Sequence, residues 1–306
     1  MIDILSKRYL YFFVSLLVIV PGIIILATNG MPLSIDFTGG SLLEVKFEGG
    51  KSPQSAELVK LYEEVGVEDV QVQTTDSGTL LIRSSFINES QRDTLLRAMK
   101  TLADSEVTVQ RFDSVGPSIG EQVASRAALA VGVAALAVVI YIMIAFQKVE
   151  NAFRYGVCAV IAMMHDVAVV FAVAGIGSMF FGWQMDSLFL TALLTVIGFS
   201  VQDKIVVFDR IRENSNIFRK LNYEILVNHS IVQTLQRSIN TQLMTVEFLL
   251  LALALFGGIT LREFAVILLV GLFSGTYSSI FIAASILVLW ENREWNNWFR
   301  RKSEAL

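Results

Sequence analysis

Apolar positions in this 306-residue chain fall mainly in long unbroken runs, not in the half-turn alternation of water-soluble elements. A bilayer core of about 30 Å is spanned by about 20 apolar residues in helical form. Six stretches meet that length, at 9–28, 124–146, 154–180, 188–208, 235–256 and 264–290. The third and fourth carry charges between strongly apolar flanks, and the fifth opens on a polar, amphipathic lead-in. Lys7 and Arg8 precede the first run. That run is longer than the apolar core of a secretion signal, and no clear small-x-small cleavage site follows it. It reads as an uncleaved first span, with a cleaved signal as the alternative. Pro21 and Gly22 are tolerated inside a membrane helix.

Between the first and second runs the pattern changes. Residues 42–47 alternate as a strand, and 53–65 read as a helix with Pro53 near its start. Residues 70–74 and 79–83 read as two strands around an Asp76-Ser77-Gly78 turn. A second helix at 88–103 is capped by Asn88 or Ser90, and a last strand lies at 107–112. This β-α-β-β-α-β order is the split βαβ arrangement of a ferredoxin-like domain. The expected fold is therefore an α-helical polytopic membrane protein with six transmembrane helices. One α+β ferredoxin-like (βαββαβ) extracytoplasmic domain lies between helices 1 and 2. The expected divisions are 1–30 for the first helix, 31–118 for the domain, 119–292 for a five-helix bundle and 293–306 for a cytoplasmic tail.

Charge gives these elements an orientation. One set of loops carries Lys7 and Arg8, Lys148 and Arg154, Arg210, Arg212, Arg219 and Lys220, then Arg293, Arg300, Arg301 and Lys302. The opposite loops, 181–187 and 257–263, carry only Arg262. Positive loops stay inside, so both termini are expected in the cytoplasm and the α+β domain outside it. The lone Cys158 excludes an intrachain disulfide and a cysteine-based zinc site, and two histidines argue against a histidine-rich metal centre. No P-loop, GxSxG elbow or HExxH motif is present. The expectation is a transporter component and not an enzyme, without a cofactor, driven by an ion gradient or a partner.

Ionisable side chains within spans are costly and tend to be functional. His165 and Asp166 lie near the middle of the third run, and Asp203 and Lys204 near the cytoplasmic end of the fourth. Asp209 and Arg210 mark that end, Arg237 lies near the start of the fifth run, and Glu247 lies deeper. Each residue advances about 1.5 Å along a helix. Spans four and five are antiparallel, so Asp203 and Arg237 fall at one level, and Asp166 and Glu247 both fall near the midplane. A carboxylate that alternates between a cation and an apolar surrounding can load and release a proton. Asp203 facing Arg237 is the expected proton-coupling pair, with a purely structural ion pair as its rival. Lys204 reads as a side chain that snorkels toward the cytoplasm, and Asp209 and Arg210 as flanking charges. His165 reads equally as a packing residue or a proton relay, and Glu247 as a static partner for it. Gly271, Ser274, Gly275, Ser278 and Ser279 recur mostly at helical spacing and read as a close-packing stripe.

Several motifs then converge on one family. Ser34-Ile35-Asp36-Phe37-Thr38-Gly39-Gly40 resembles the motif that opens the external domain of the SecD and SecF export proteins. Val115-Gly116-Pro117-Ser118-Ile119-Gly120 resembles the motif that closes it. The run from Val207 through Asp209 and Arg210 to Asn214, the Gln233-Thr234-Leu235-Gln236-Arg237 element and the Ser274–Phe281 stretch complete the likeness in order. The chain departs from the usual pattern at Ser34, Gln202, Lys204 and Glu247. The resemblance implies a membrane protein of the resistance-nodulation-division superfamily that uses proton motive force to draw preproteins across a bacterial cell (inner) membrane, with an internal bacterial membrane as the alternative location. It implies protons and unfolded preprotein as what it handles. It implies a SecD-like partner and the SecYEG channel, with YajC and YidC as further associates. It places Asp203 and Arg237 at the family's proton-passage positions and His165-Asp166 at its span-three pair. A structural assembly subunit, or a superfamily exporter of lipid or small molecules, is the alternative.

Overall fold

The computed structural model describes residues 3–48, 52–74, 78–147, 152–240 and 248–294. In chain order its elements begin with α1 (Arg8–Asn29), the single turn α2 (Ile35–Thr38), β1 (Gly40–Phe47) and α3 (Ser55–Glu64). They continue with β2 (Gln71–Thr74), β3 (Leu80–Ser84), α4 (Glu89–Ala103), β4 (Val107–Val115) and α5 (Pro117–Phe146). Then follow α6 (Ala152–Phe181), α7 (Ser187–Ile217), α8 (Tyr223–Ser238), α9 (Phe248–Phe256), α10 (Ile259–Tyr277) and α11 (Ala284–Glu291). A π-helical turn, Ser278–Ala283, joins the last two. The chain forms two compact units, one of Leu33–Leu129 and one of Met1–Pro32 with Ala130–Leu306.

The first of these is a four-stranded sheet backed by α3 and α4. Its strand order is β2-β3-β1-β4, and every neighbouring pair is antiparallel. Alternation along β1 turns Leu43, Val45 and Phe47 toward one face, where they meet Leu58 and Tyr62 of α3 and Leu95 and Met99 of α4. Both helices start on reciprocal caps. The Asn88 side chain accepts from the Gln91 N–H while the Gln91 side chain accepts from the Asn88 N–H, and Gln54 with Glu57 repeats the device. Register is pinned by Ser41, whose hydroxyl meets that of Ser114 at 2.7 Å and accepts from the Ile87 N–H. The element order follows the sequence pattern. The sequence reading had β4 end at 112, but pairing with Gly40 carries it to Val115. Residues 76 and 77 of the expected turn lie outside the described residues.

The second unit is helical. Among the described residues, five helices are long and apolar enough to cross a membrane: Leu5–Asn29, Pro117–Phe146, Ala152–Phe181, Ser187–Ile217 and Leu261–Glu291. The sixth expected crossing, 235–256, meets the end of α8 and the whole of α9, and its residues 241–247 lie outside the described residues. α6 packs against α1, α7 and α10. Between lipid-facing helices the drive to associate is van der Waals contact, which small residues permit. A Cβ on Gly22 of α1 would stand 2.4 Å from Ala172 of α6, and one on Gly271 of α10 would stand 2.2 Å from Val196 of α7. These crossings draw α6, α7 and α10 together around the polar residues described next.

Candidate functional site

Asp166 sits on α6, fully buried (0% exposed). A carboxylate there is tolerable only if every oxygen is matched. Its Oδ1 accepts from Ser274 Oγ at 2.7 Å and lies 3.1 Å from His165 Nδ1. Its Oδ2 accepts from Ser200 Oγ, Lys204 Nζ and Ser278 Oγ, each at 2.7 Å. The Lys204 ammonium also donates to Ser200 Oγ at 2.5 Å and to the Ser200 carbonyl at 3.2 Å. Helical spacing builds this hub. Ser200 and Lys204 stand one turn apart on α7, and Ser274 and Ser278 one turn apart where α10 enters its π turn. Gly275 lies between those two serines, where an added Cβ would be 3.4 Å from the Ser200 Cα.

Lys204 is the main correction to the sequence reading. It does not snorkel: it is 0% exposed and ion-paired with Asp166 at 2.7 Å. The cause is local. A carboxylate and two serine oxygens lie within reach of its stem, and a charge-assisted bond in a dry interior outweighs extension toward water. Asp203 and Lys204 are successive residues, so their side chains diverge by about 100° around α7. Asp203 is also buried, on a helix packed against α8. Arg237 lies in the last turn of α8 and is exposed on the surface of this chain. Glu247, and with it the expected pairing to His165, lies outside the described residues. His165 stacks on Tyr277 at 6.3 Å between ring centres, and its Nε2 finds no hydrogen-bond partner among the described residues.

Asp209 and Arg210 sit in surface pairs. Asp209 bridges Arg212 at 2.6 Å, while Arg210 bridges Glu213 at 2.5 Å and donates to Gln233 at 2.6 Å. The same Gln233 Oε1 accepts from Asn214, which also donates to Ser230, so the α7–α8 crossing is threaded by side-chain hydrogen bonds. The serines of the hub are what sequence reasoning missed. Ser274 and Ser278 read as a packing stripe, and Ser200 was not singled out. The available signal was the pair of i, i+4 repeats bearing hydroxyls and one cation.

The opening and closing motifs form a second constellation, in the α+β unit. Gly39 and Gly40 adopt φ of 73° and 124°, conformations that L side chains resist. A Cβ on Gly39 would lie 2.8 Å from the Pro117 Cα, one on Gly120 2.5 Å from the Gly39 nitrogen, and one on Gly40 2.8 Å from the Ser84 carbonyl oxygen. Ser34 caps α2 by accepting from the Asp36 N–H at 3.2 Å. The two motifs thus meet backbone to backbone, where α5 begins.

Comparison with known proteins follows the same landmarks. A family model described as protein export membrane protein SecD/SecF, C-terminal, matches residues 85–293, and one described as SecD/SecF GG motif matches residues 24–50. A SecF protein translocase subunit of Anaerolinea thermophila is 66% identical over 301 residues, with 98% of each chain covered. That of Thermobaculum terrenum is 45% identical over 312 residues, again with 98% of each covered. A crystal structure of SecDF from Thermus thermophilus superposes with a TM-score of 0.80 at 32% identity, covering 95% of this chain and 39% of that one. The chain thus spans about two fifths of that SecDF structure, while matching the separate SecF proteins nearly end to end. On these grounds the chain belongs to the SecD/SecF family of protein export membrane proteins.

Proposed function

We propose that the chain is a SecF-type subunit of the Sec protein translocase that works with a SecD-like partner and converts proton motive force into preprotein movement. A partner of that kind is supported by relatives that carry both parts in one chain, such as the SecDF of Thermus thermophilus, of which this chain covers 35%. SecYEG, with YajC and YidC, completes the proposed assembly in a bacterial inner membrane. The apolar run 235–256 supplies the sixth crossing, and the antiparallel βαββαβ sheet is the ferredoxin-like extracytoplasmic domain at 31–118. Residues 1–30 and 119–292 hold the membrane helices, and 293–306 the cytoplasmic tail.

One observation carries the reading. A chain of this family buries two carboxylates, Asp166 and Asp203, and one ammonium, Lys204, among its apolar helices. Retaining several charges there costs stability, which function offsets. Asp203 with Arg237 is proposed as the proton-responsive pair, Asp166 with His165 and Lys204 as the fixed hub beside it, and Glu247 as a further acidic contributor.

The experiment is preprotein transport into inverted membrane vesicles carrying the chain and its SecD-like partner, with and without a proton gradient. Asp203→Asn and Arg237→Ala are expected to abolish the gradient-dependent component and leave the protein in the membrane. Full gradient response in Asp203→Asn rejects proton passage through this residue and leaves a structural assembly subunit.

A further inference from the structure

The function proposed above gives Lys204 a place in the fixed hub but no role toward an ion. Its surroundings are those of a small cation. Around Nζ stand the Asp166 Oδ2 at 2.7 Å, the Ser200 Oγ at 2.5 Å and the Ser200 carbonyl at 3.2 Å. Ser278 Oγ stands 2.7 Å from the same Oδ2. Hard oxygens from one carboxylate, one carbonyl and one hydroxyl suit a hard ion. A hydroxyl both donates and accepts, so Ser200 offers a lone pair to the cation while its proton stays on the carboxylate.

Charge selects the kind of ion. The cage holds one carboxylate, and no group of three His, Cys, Asp or Glu able to hold a metal exists among the described residues. One negative charge is neutralised by one monovalent cation and overcompensated by a divalent one. Lys204 supplies that single charge. It is rooted on α7 one turn from Ser200, so its ammonium competes as an intramolecular ligand at high effective concentration. Both partners are 0% exposed.

We propose that the oxygens of Asp166 and Ser200, with Ser278 holding the carboxylate in place, form a monovalent-cation site permanently filled by the chain's own Lys204. Lys204 is then a specificity-determining residue. It keeps a free monovalent cation such as sodium out of the hub. The inference rests on the transport reading for its meaning, but its physical content is the occupancy of one cage.

The test is thermal unfolding of the full chain in mild detergent at fixed pH and ionic strength, in sodium chloride against choline chloride. It needs neither partner, channel nor gradient, so its outcome is separate from that of the export assay. The wild-type midpoint is expected to be equal in the two salts. Lys204→Ser is expected to unfold at a lower temperature in choline and to regain several degrees in sodium, saturably, as a ligand bound only to the folded state requires. The Lys204→Ser/Asp166→Asn double variant is expected to lose that response. If Lys204→Ser does not fold in choline, its recovery in sodium supports the proposal and failure in both salts overturns it. A sodium-specific rise in the wild type, or none in folded Lys204→Ser, also overturns it.

Discussion

Tyr62 and Lys204 are both fully buried polar side chains, and their tips meet opposite fates. Lys204 finds a carboxylate and serine oxygens. The Tyr62 hydroxyl finds no hydrogen-bond partner among the described residues, and burial pushes its pKa above the ordinary 10.0. An unmatched buried hydroxyl costs about 1–3 kcal/mol. Tyr62→Phe is therefore expected to stabilise the α+β unit by about 1 kcal/mol, read by chemical denaturation. Tyr62 stays neutral when folded and ionises above its ordinary pKa when unfolded. Its contribution is present below pH 10.0 and is lost as pH rises through the higher folded value. Tyr62→Phe should accordingly flatten the alkaline fall in stability. Lys204→Met goes the other way. It strands Asp166 as a buried charge without its cation, at roughly 3–5 kcal/mol, and Asp166→Asn in the same chain should restore part of the loss. Asp166 and Asp203 stood out in the sequence because charge inside an apolar run is conspicuous. Ser200, Ser274 and Ser278 did not, because a lone hydroxyl on a membrane helix satisfies itself on its own backbone as readily as across a crossing. Their role is tertiary.

Among the elements, the join of β1, α2 and α5 is held by glycines whose roles differ sharply. Gly120 faces the Gly39 backbone at 2.5 Å from its would-be Cβ, and Gly39 combines a positive φ with contact to Pro117. Neither neighbour is a side chain that can swing aside. Gly120→Ala and Gly39→Ala are each expected to cost about 1–3 kcal/mol. Gly116 has nothing within 4 Å of an added Cβ and no positive φ, so Gly116→Ala should stay within about 0.5 kcal/mol. Thermal unfolding of the three variants checks the ranking, and equal effects would show that the close approach contributes nothing. The strands and helices of this unit were legible because their periods differ and their caps are explicit, as at Asn88 and Gln91. The one-turn α2 was not legible, since four residues carry no period. The rim of β4 was not either, since residues 113–115 become strand only by pairing with Gly40 and its neighbours. In the membrane helices the apolar runs showed where spans lie. Which faces meet was set by Gly22, Gly175 and Gly271 against partners that no local pattern names.

At the scale of the whole molecule, ion pairs tie several helix ends of the helical unit together. Arg8 at the start of α1 bridges Glu224 at the start of α8 and Glu294 beyond α11, each at 2.7 Å. Arg154 at the start of α6 bridges Glu291 at the end of α11. These four helix ends therefore share a face, and the sequence gives that face its excess of arginine and lysine, Arg219 and Lys220 included. A membrane potential negative inside and translocation biased against positive loops favour a cytoplasmic position for such a face, which is the orientation proposed above. The proposed orientation can be read with single cysteines, because the native Cys158 is buried and should stay silent. Thr101→Cys lies on exposed α4 of the α+β unit and Lys220→Cys on the exposed loop before α8. A membrane-impermeant maleimide added to intact cells with a permeabilised outer envelope is expected to label Thr101→Cys and spare Lys220→Cys, and to reach both once the inner membrane is opened. Labelling of Lys220→Cys in sealed cells would invert the topology. It would then place the charged end of the helices, with the α7–α8 crossing at Asn214 and Gln233, outside the cytoplasm.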